Sequence, residues 1–134
     1  LLDDPILDSF KPKDKYHFDG NVYMLHNGGS RSATNTLLSL AEYYDAAVFI
    51  GREPGGMYED VDGRWYVKFT LPYSGINVTF PAWTLKIDTE NGDRTRGITP
   101  DYKIDYGFND LQDGRDLEME KALQLIQEAN DDIQ

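Results

Sequence analysis

Two serines, Ser30 and Ser32, follow a glycine pair, Gly28-Gly29, and stand directly ahead of a stretch that reads as a helix. The first N–H groups of a helix have no partner inside it, and the dipole there is positive. A serine at that point holds its hydroxyl beside donors able to stabilise an oxyanion, the need of acyl-transfer chemistry. The same residues also describe an ordinary glycine turn with a serine cap. A second glycine cluster, Arg52-Glu53-Pro54-Gly55-Gly56, lacks the Lys-Ser/Thr pair that a phosphate-cradling loop requires, because Met57 and Tyr58 follow it. A nucleotide site is therefore rejected, and Gly55 and Gly56 are read as a substrate-facing loop at the carboxyl end of a strand. The two histidines are His17 and His26. His26 lies too close in sequence to Ser32 to define a Ser–His pair and reads as a hydrogen-bonded strand residue. Glu59, Asp60 and Asp62 give an incomplete calcium-loop pattern and read as solvated acids. No metal and no cofactor is expected.

These residues need elements to position them. Asn21 to His26 is apolar and β-prone, and Ala46 to Ile50 is a second short apolar run closed by Gly51. Between them Ala33, Leu37, Leu40, Ala41 and Tyr44 fall at helical spacing, which predicts a helix buried on that face. Strand, glycine turn, helix and strand make a βαβ unit with parallel strands. Gly51 to Gly63 reads as a loop. Trp65–Leu71 and the alternating Ile76–Phe80 read as strands about a Pro72–Gly75 turn, the second half-buried. Trp83–Asp88 and Asp101–Asp105 are further strand candidates, and Asn91-Gly92 is a hairpin signal. Asp116 caps a last helix with Met119, Ala122, Leu123, Ile126 and Ala129 on one face. The class is α/β, with residues 1–19 a linker or edge segment and 20–134 the folded part.

The 134 residues suit about one domain, with no cysteine for disulfides or thiolate metal sites. No apolar run approaches a membrane span, and Leu1 to Asp8 lacks the basic start of a signal peptide. Thirteen basic and 24 acidic residues give a net charge of −11, which disfavours nucleic acid as a partner. Residues 105–134 hold nine acids and two bases, whereas residues 20–104 hold ten acids and eight bases. The acidity thus belongs mainly to the carboxyl-terminal region rather than to the serine turn.

Five stretches in order resemble the C-terminal-processing, or tail-specific, peptidases, the S41 serine peptidases. They are Val22 through Asn35, Ala47 through Gly56, Leu71-Pro72-Tyr73-Ser74-Gly75 leading to Phe80-Pro81, Arg96-Gly97-Ile98-Thr99-Pro100-Asp101, and Asp110 through Leu123. Together they span roughly residues 18–130. The resemblance implies a ClpP/crotonase-like α/β fold and peptide-bond hydrolysis through an acyl-enzyme. It places the nucleophile on Ser32, the serine directly before the alanine of the run, and makes the Ala33 N–H an oxyanion donor. A polypeptide is the implied substrate, and the cell envelope (periplasm) or the secreted fraction is the implied location.

Two departures from the family pattern stand out. The Ser–Lys branch carries its general-base lysine about 25 residues after the serine, where this chain has Met57. The other branch takes a histidine from the amino-terminal half of the domain and a supporting carboxylate from the part after the serine, for which Glu53 and Glu90 are candidates. The family's upstream Arg-x-Asn-x-Gly-Gly segment, which completes the oxyanion hole, has no counterpart between Leu1 and Asn27, and a PDZ-like domain is also missing. The expectation is the carboxyl-terminal part of a catalytic domain, inactive or nearly so alone. Its missing upstream half would be a natural partner, and apolar surface left uncovered would favour homo-oligomers. A non-catalytic peptide- or partner-binding domain on the same fold is the alternative. A third reading is an interaction module using its tyrosines and tryptophans, although these residues read more simply as core.

Overall fold

A computed structural model describes residues 18–58, 60–62, 65–82, 84–86 and 95–131, with the side chains of 60–62 and 84–86 left aside. The Asn91-Gly92 hairpin signal, Glu59, and all but the last two residues of the 1–19 segment lie outside the described residues. The chain is a mixed α/β fold with a small parallel sheet. Three strands form that sheet in the order β1 (Tyr23–His26), β2 (Val48–Gly51), β7 (Tyr102–Lys103). β1 and β2 run parallel, with helix α1 (Ala33–Tyr43) between them, as the βαβ pattern requires. Register pairs His26 with Gly51, and Gly51 with Lys103, so the three strands end on one row.

Two antiparallel pairs complete the strands: β3 (Asp60–Asp62) with β6 (Thr84–Lys86), and β4 (Tyr66–Thr70) with β5 (Asn77–Pro81). β3 falls inside the stretch read from sequence as loop, and Thr84–Lys86 inside the Trp83–Asp88 candidate. Two more helices close the described chain, α2 (Phe108–Gln112) and α3 (Leu117–Asp131). The Asp116 cap is present: its Oδ1 accepts the Met119 N–H at 3.0 Å. α2 was not predicted. Its cap is a glycine, and at 5 residues it is too short to display a period.

The core is small. Leu38, Ala41, Phe49, Tyr58 and Ile98 are buried together, with Met24 and Ala47 packed against them. Each large side chain buried this way is worth about 1.5–3 kcal/mol. Asp101 ties the sheet to this core, its Oδ2 accepting the Phe49 N–H at 2.8 Å.

Helix faces differ from the periodicity reading. On α1 the buried residues are Asn35, Leu38, Ser39 and Ala41, whereas Leu37 is 57% and Tyr44 71% exposed. Of the predicted stripe of Ala33, Leu37, Leu40, Ala41 and Tyr44, only Ala41 is buried; the other four face outward, and the inner face also carries polar groups needed by a loop described below. On α3, Glu118 and Ala122 are buried while Met119, Leu123 and Ile126 are exposed. There Glu118 turns inward to accept the Tyr106 hydroxyl. The β4–β5 pair is likewise not half-buried: every residue of β4 is exposed, as are four of five in β5. Its Phe69 and Phe80 rings meet edge-on at 6.0 Å, a contact within the hairpin rather than with the core.

Candidate active site

Beyond β1 the chain makes a tight turn whose polar groups close on one another. The Ser30 N–H donates to the Asn27 carbonyl at 2.8 Å, and the Ser30 hydroxyl accepts the Asn27 N–H at 3.2 Å. The Gly29 N–H donates to Asn27 Oδ1 at 2.8 Å. Ser30 is thereby built into the turn. Ser32 is different. It holds φ 56° and ψ −126°, a backbone region that side-chain-bearing residues rarely enter, immediately before α1. Holding such a conformation costs on the order of 1–3 kcal/mol, and strain of this kind concentrates at functional sites. A serine on a strained strand-to-helix turn is the geometry that lifts a nucleophilic hydroxyl clear of its neighbours. The Ser32 hydroxyl caps no helical N–H. Its carbonyl accepts the Thr36 N–H at 3.1 Å, so the helix ladder begins there. The Thr34 N–H is turned to Arg31 O, whereas the Ala33 N–H is engaged by no described residue. An N–H left open beside a serine hydroxyl is placed to donate to an oxyanion.

The second glycine loop is bound to this turn. The Gly55 N–H donates to Ser30 O at 3.0 Å, and a side chain at Gly55 would collide with the Gly28 carbonyl. A Cβ on Gly56 would lie 3.0 Å from the Asn35 amide carbon. Asn35, on the inner face of α1 and 1% exposed, donates its amide to the Met57 carbonyl. Ser39, one helical turn on, donates to the Tyr58 carbonyl at 2.5 Å. These two polar side chains satisfy carbonyls of an irregular segment that would otherwise be buried unpaired, which explains why α1 turns them inward. Asn35 Oδ1 is buried without a partner among the described residues.

Glu53 is a clamp for the same loop. Its Oε1 accepts the Gly97 N–H at 3.0 Å and Arg96 Nε at 3.3 Å, and its Oε2 accepts Arg96 Nη2 at 2.7 Å. The carboxylate therefore joins the second glycine loop to Arg96-Gly97, and the structure brings Ser32, Gly55, Gly56 and Glu53 into one cluster of connected loops. Glu90 and His17 lie outside the described residues.

His26 ends β1 at 3% exposure. Its Nδ1 meets the Arg52 carbonyl at 2.8 Å. A carbonyl only accepts, so Nδ1 carries the proton and Nε2 is the lone-pair nitrogen, buried without a partner among the described residues. Burial holds the pKa of His26 below the ordinary histidine value, against smaller opposing effects of the Arg52 carbonyl, Asp101 and Glu118. Gly51, its register partner, has φ 134°, and a Cβ there would overlap the His26 carbonyl oxygen. Two cavities open at these strand ends. One of about 630 Å³ is lined by His26, Ser30, Arg52, Tyr106 and Glu118 among others. A second of about 470 Å³ is lined by Asn27, Gly28, Gly29, Arg52, Glu53 and Lys103.

With that geometry in place, comparison with solved structures decides the coarse class. The crystal structure of a putative peptidase from Parabacteroides merdae ATCC 43184 is similar to this chain at a TM-score of 0.59 and 28% identity, over 85% of this chain and 34% of that chain. The chain has a peptidase-like fold. It spans about a third of that neighbour's length. No protein-family model matches the sequence. No curated protein matches it either. Within the peptidase-like fold, sequence reasoning missed Asn35 and Ser39 as loop anchors. Asn35 and Ser39 stand four apart and so share one helix face, but Thr34, Thr36 and Glu42 are polar too, so nothing local singles the pair out.

Proposed function

We propose that this chain carries part of the catalytic domain of a serine peptidase of the S41, C-terminal-processing kind, on a ClpP/crotonase-like fold. Ser32 is the nucleophile that attacks the scissile carbonyl, and the Ala33 N–H is one donor to the resulting oxyanion. The observation that carries this reading is the backbone of Ser32, strained at φ 56° where β1 hands over to α1, with a hydroxyl that caps nothing. A helix-capping serine would instead sit in extended backbone and bond the helix N–H groups. Serine needs a base to become nucleophilic at neutral pH. The lone-pair Nε2 of His26 is buried, at 3% exposure for the residue, and the Glu53 carboxylate is held by Arg96 and Gly97, so this reading assigns the base to a residue outside the described ones. The second oxyanion donor likewise belongs to an upstream part of the catalytic domain, and the 134-residue chain alone hydrolyses little or nothing. A cell-envelope or secreted location and association through the exposed apolar faces are parts of the same proposal.

The test uses the full-length protein, an unfolded protein substrate and a fluorophosphonate probe. Ser32→Ala removes both hydrolysis and labelling with an unchanged circular dichroism spectrum, while Ser30→Ala keeps the label on Ser32. Undiminished hydrolysis by Ser32→Ala overturns the assignment. Peptide binding by the wild-type full-length protein, with neither labelling nor turnover, establishes the non-catalytic binding domain in its place.

A further inference from the structure

The carboxyl ends of the three parallel strands gather bases in a chain whose net charge is −11. Arg52 follows the last residue of β2, and Lys103 is the last residue of β7 and the register partner of Gly51. Across the same row β1 ends at His26 and continues into Asn27-Gly28-Gly29. Arg52 and Lys103 therefore stand at the ends of neighbouring strands. Both line the 470 Å³ cavity with the Gly28-Gly29 turn, and Arg52 also lines the larger one. In parallel α/β sheets the carboxyl ends of the strands are where ligands bind.

The smaller cavity is lined by two bases, Arg52 and Lys103, and one acid, Glu53, whereas the larger one also carries Asp116 and Glu118. Among the described residues the Arg52 guanidinium has no carboxylate partner, and it lies over the Tyr106 ring, 6.0 Å from the centroid. Lys103 Nζ pairs with Asp105 at 2.7 Å, but these side chains are 70% and 65% exposed, so the pair is weak and open to competition. Glu53, the one acid lining the smaller cavity, already holds Arg96 and the Gly97 N–H. In the larger cavity, Arg115 is paired with Asp110 and Glu120. Of the cations lining these two cavities, Arg52 is the one with no carboxylate partner among the described residues, and a planar guanidinium recognises carboxylates through two parallel hydrogen bonds.

We infer that Arg52 and Lys103, beside the Gly28-Gly29 turn, form a subsite that takes a carboxylate of a peptide ligand. The inference rests on the peptide-binding part of the proposed function and not on Ser32 acting as a nucleophile. Arg52 makes the paired hydrogen bonds, and Lys103 supplies a second positive charge after releasing Asp105.

The test is a titration of the isotope-labelled 134-residue chain, followed by the amide signals of Gly28 and Gly29 and the Arg52 side-chain N–H. Three alanine pentapeptides serve as probes: one with a central glutamate and blocked ends, one with a central glutamine and blocked ends, and one with a central glutamine and a free C-terminus. The glutamate peptide, the free-carboxylate peptide or both shift these signals, and the blocked glutamine peptide does not. Which of the two binds identifies the carboxylate as a side chain or a chain end. Arg52→Gln weakens that binding about tenfold, the size of one charge-assisted interaction, while the rest of the spectrum is retained. Lys103→Gln weakens it less, and added salt weakens it in the wild type. Equal binding of all three peptides, no response at Gly28 and Gly29, or undiminished binding by Arg52→Gln overturns the subsite. None of these results depends on hydrolysis, so they leave the nucleophile assignment to be judged by the Ser32→Ala assay.

Discussion

Substituting Ser32 with glycine separates a strained nucleophile from a helix cap by stability alone. At φ 56° and ψ −126° the serine side chain is held in a conformation costing about 1–3 kcal/mol. Glycine enters that region freely, so Ser32→Gly relieves the strain. Against this stands the greater entropy of glycine in the unfolded chain, about 0.5–1 kcal/mol. The net expectation is stabilisation by about 0–2.5 kcal/mol. At roughly 3–4 °C per kcal/mol for a chain of this size, Tm rises by up to about 10 °C. Ser32→Ala keeps the Cβ and the strain, and it removes a hydroxyl that caps no N–H, so its stability stays within about 0.5 kcal/mol of wild type. A capping serine gives the reverse order, because alanine at a cap costs about 1 kcal/mol and glycine only a few tenths. Urea denaturation of the three proteins reads the difference as shifts in midpoint at constant slope. Loss of stability in both variants, with alanine the worse, would refute the strained-turn reasoning and leave Ser32 an ordinary cap.

Other outcomes follow from the same contacts. Gly55→Ala forces a Cβ onto the Gly28 carbonyl, and Gly51→Ala adds a positive φ to a clash with the His26 carbonyl; each loses more than about 2 kcal/mol in urea denaturation, with Gly51→Ala the more severe. Glu53→Ala frees Arg96 and the Gly97 N–H and costs about 1 kcal/mol, reduced by the exposure of the ion pair, and a far-UV thermal melt detects it. Because burial lowers the pKa of His26, the unfolded chain takes up a proton at higher pH than the folded one; stability is complete above the ordinary histidine pKa of about 6.5 and declines as pH falls below it. Midpoints measured from pH 8 to pH 5 show that decline in the wild type and a flatter profile in His26→Gln. Amide hydrogen exchange is faster in the β4–β5 hairpin than in β1 and β2, since a two-stranded sheet exposed on both faces has little burial to protect it.

The parallel pair, its helix and the glycine turns were legible because their signals are local. Short apolar runs, Gly28-Gly29 and Gly51 mark where strands stop, and Asp116 announces its helix by side-chain chemistry. Which face of each helix points inward was not legible. Periodicity assumes that apolar residues seek the core, but Leu37 and Tyr44 stay outside so that Asn35 and Ser39 can reach the carbonyls of Met57 and Tyr58. The demand for those hydrogen bonds arises 19 and 22 residues away, in a loop whose course no window on the helix can reveal. Ser30 and Ser32 were equivalent candidates on local sequence. The structure distinguishes them, since one hydroxyl closes the Asn27 turn and the other is held at a strained backbone angle. The role of Glu53 as a clamp on Gly97 depends on a contact 44 residues distant and has no local trace.

The inverted face of α1 sets a trap for anyone who would stabilise this protein by design. Repainting the helix by the usual rule, with leucine at Asn35 and alanine at Ser39 and lysine at Leu37 and Tyr44, would give a better amphipathic helix in isolation. It would also strip the hydrogen bonds from the Met57 and Tyr58 carbonyls. The second glycine loop would lose its seat, and the turn carrying Ser32 would lose a neighbour tied to it through Gly55 and Ser30. Such a variant would be expected to melt lower despite its stronger helix, because two buried carbonyls lose their donors and a leucine is forced against the Gly56 backbone.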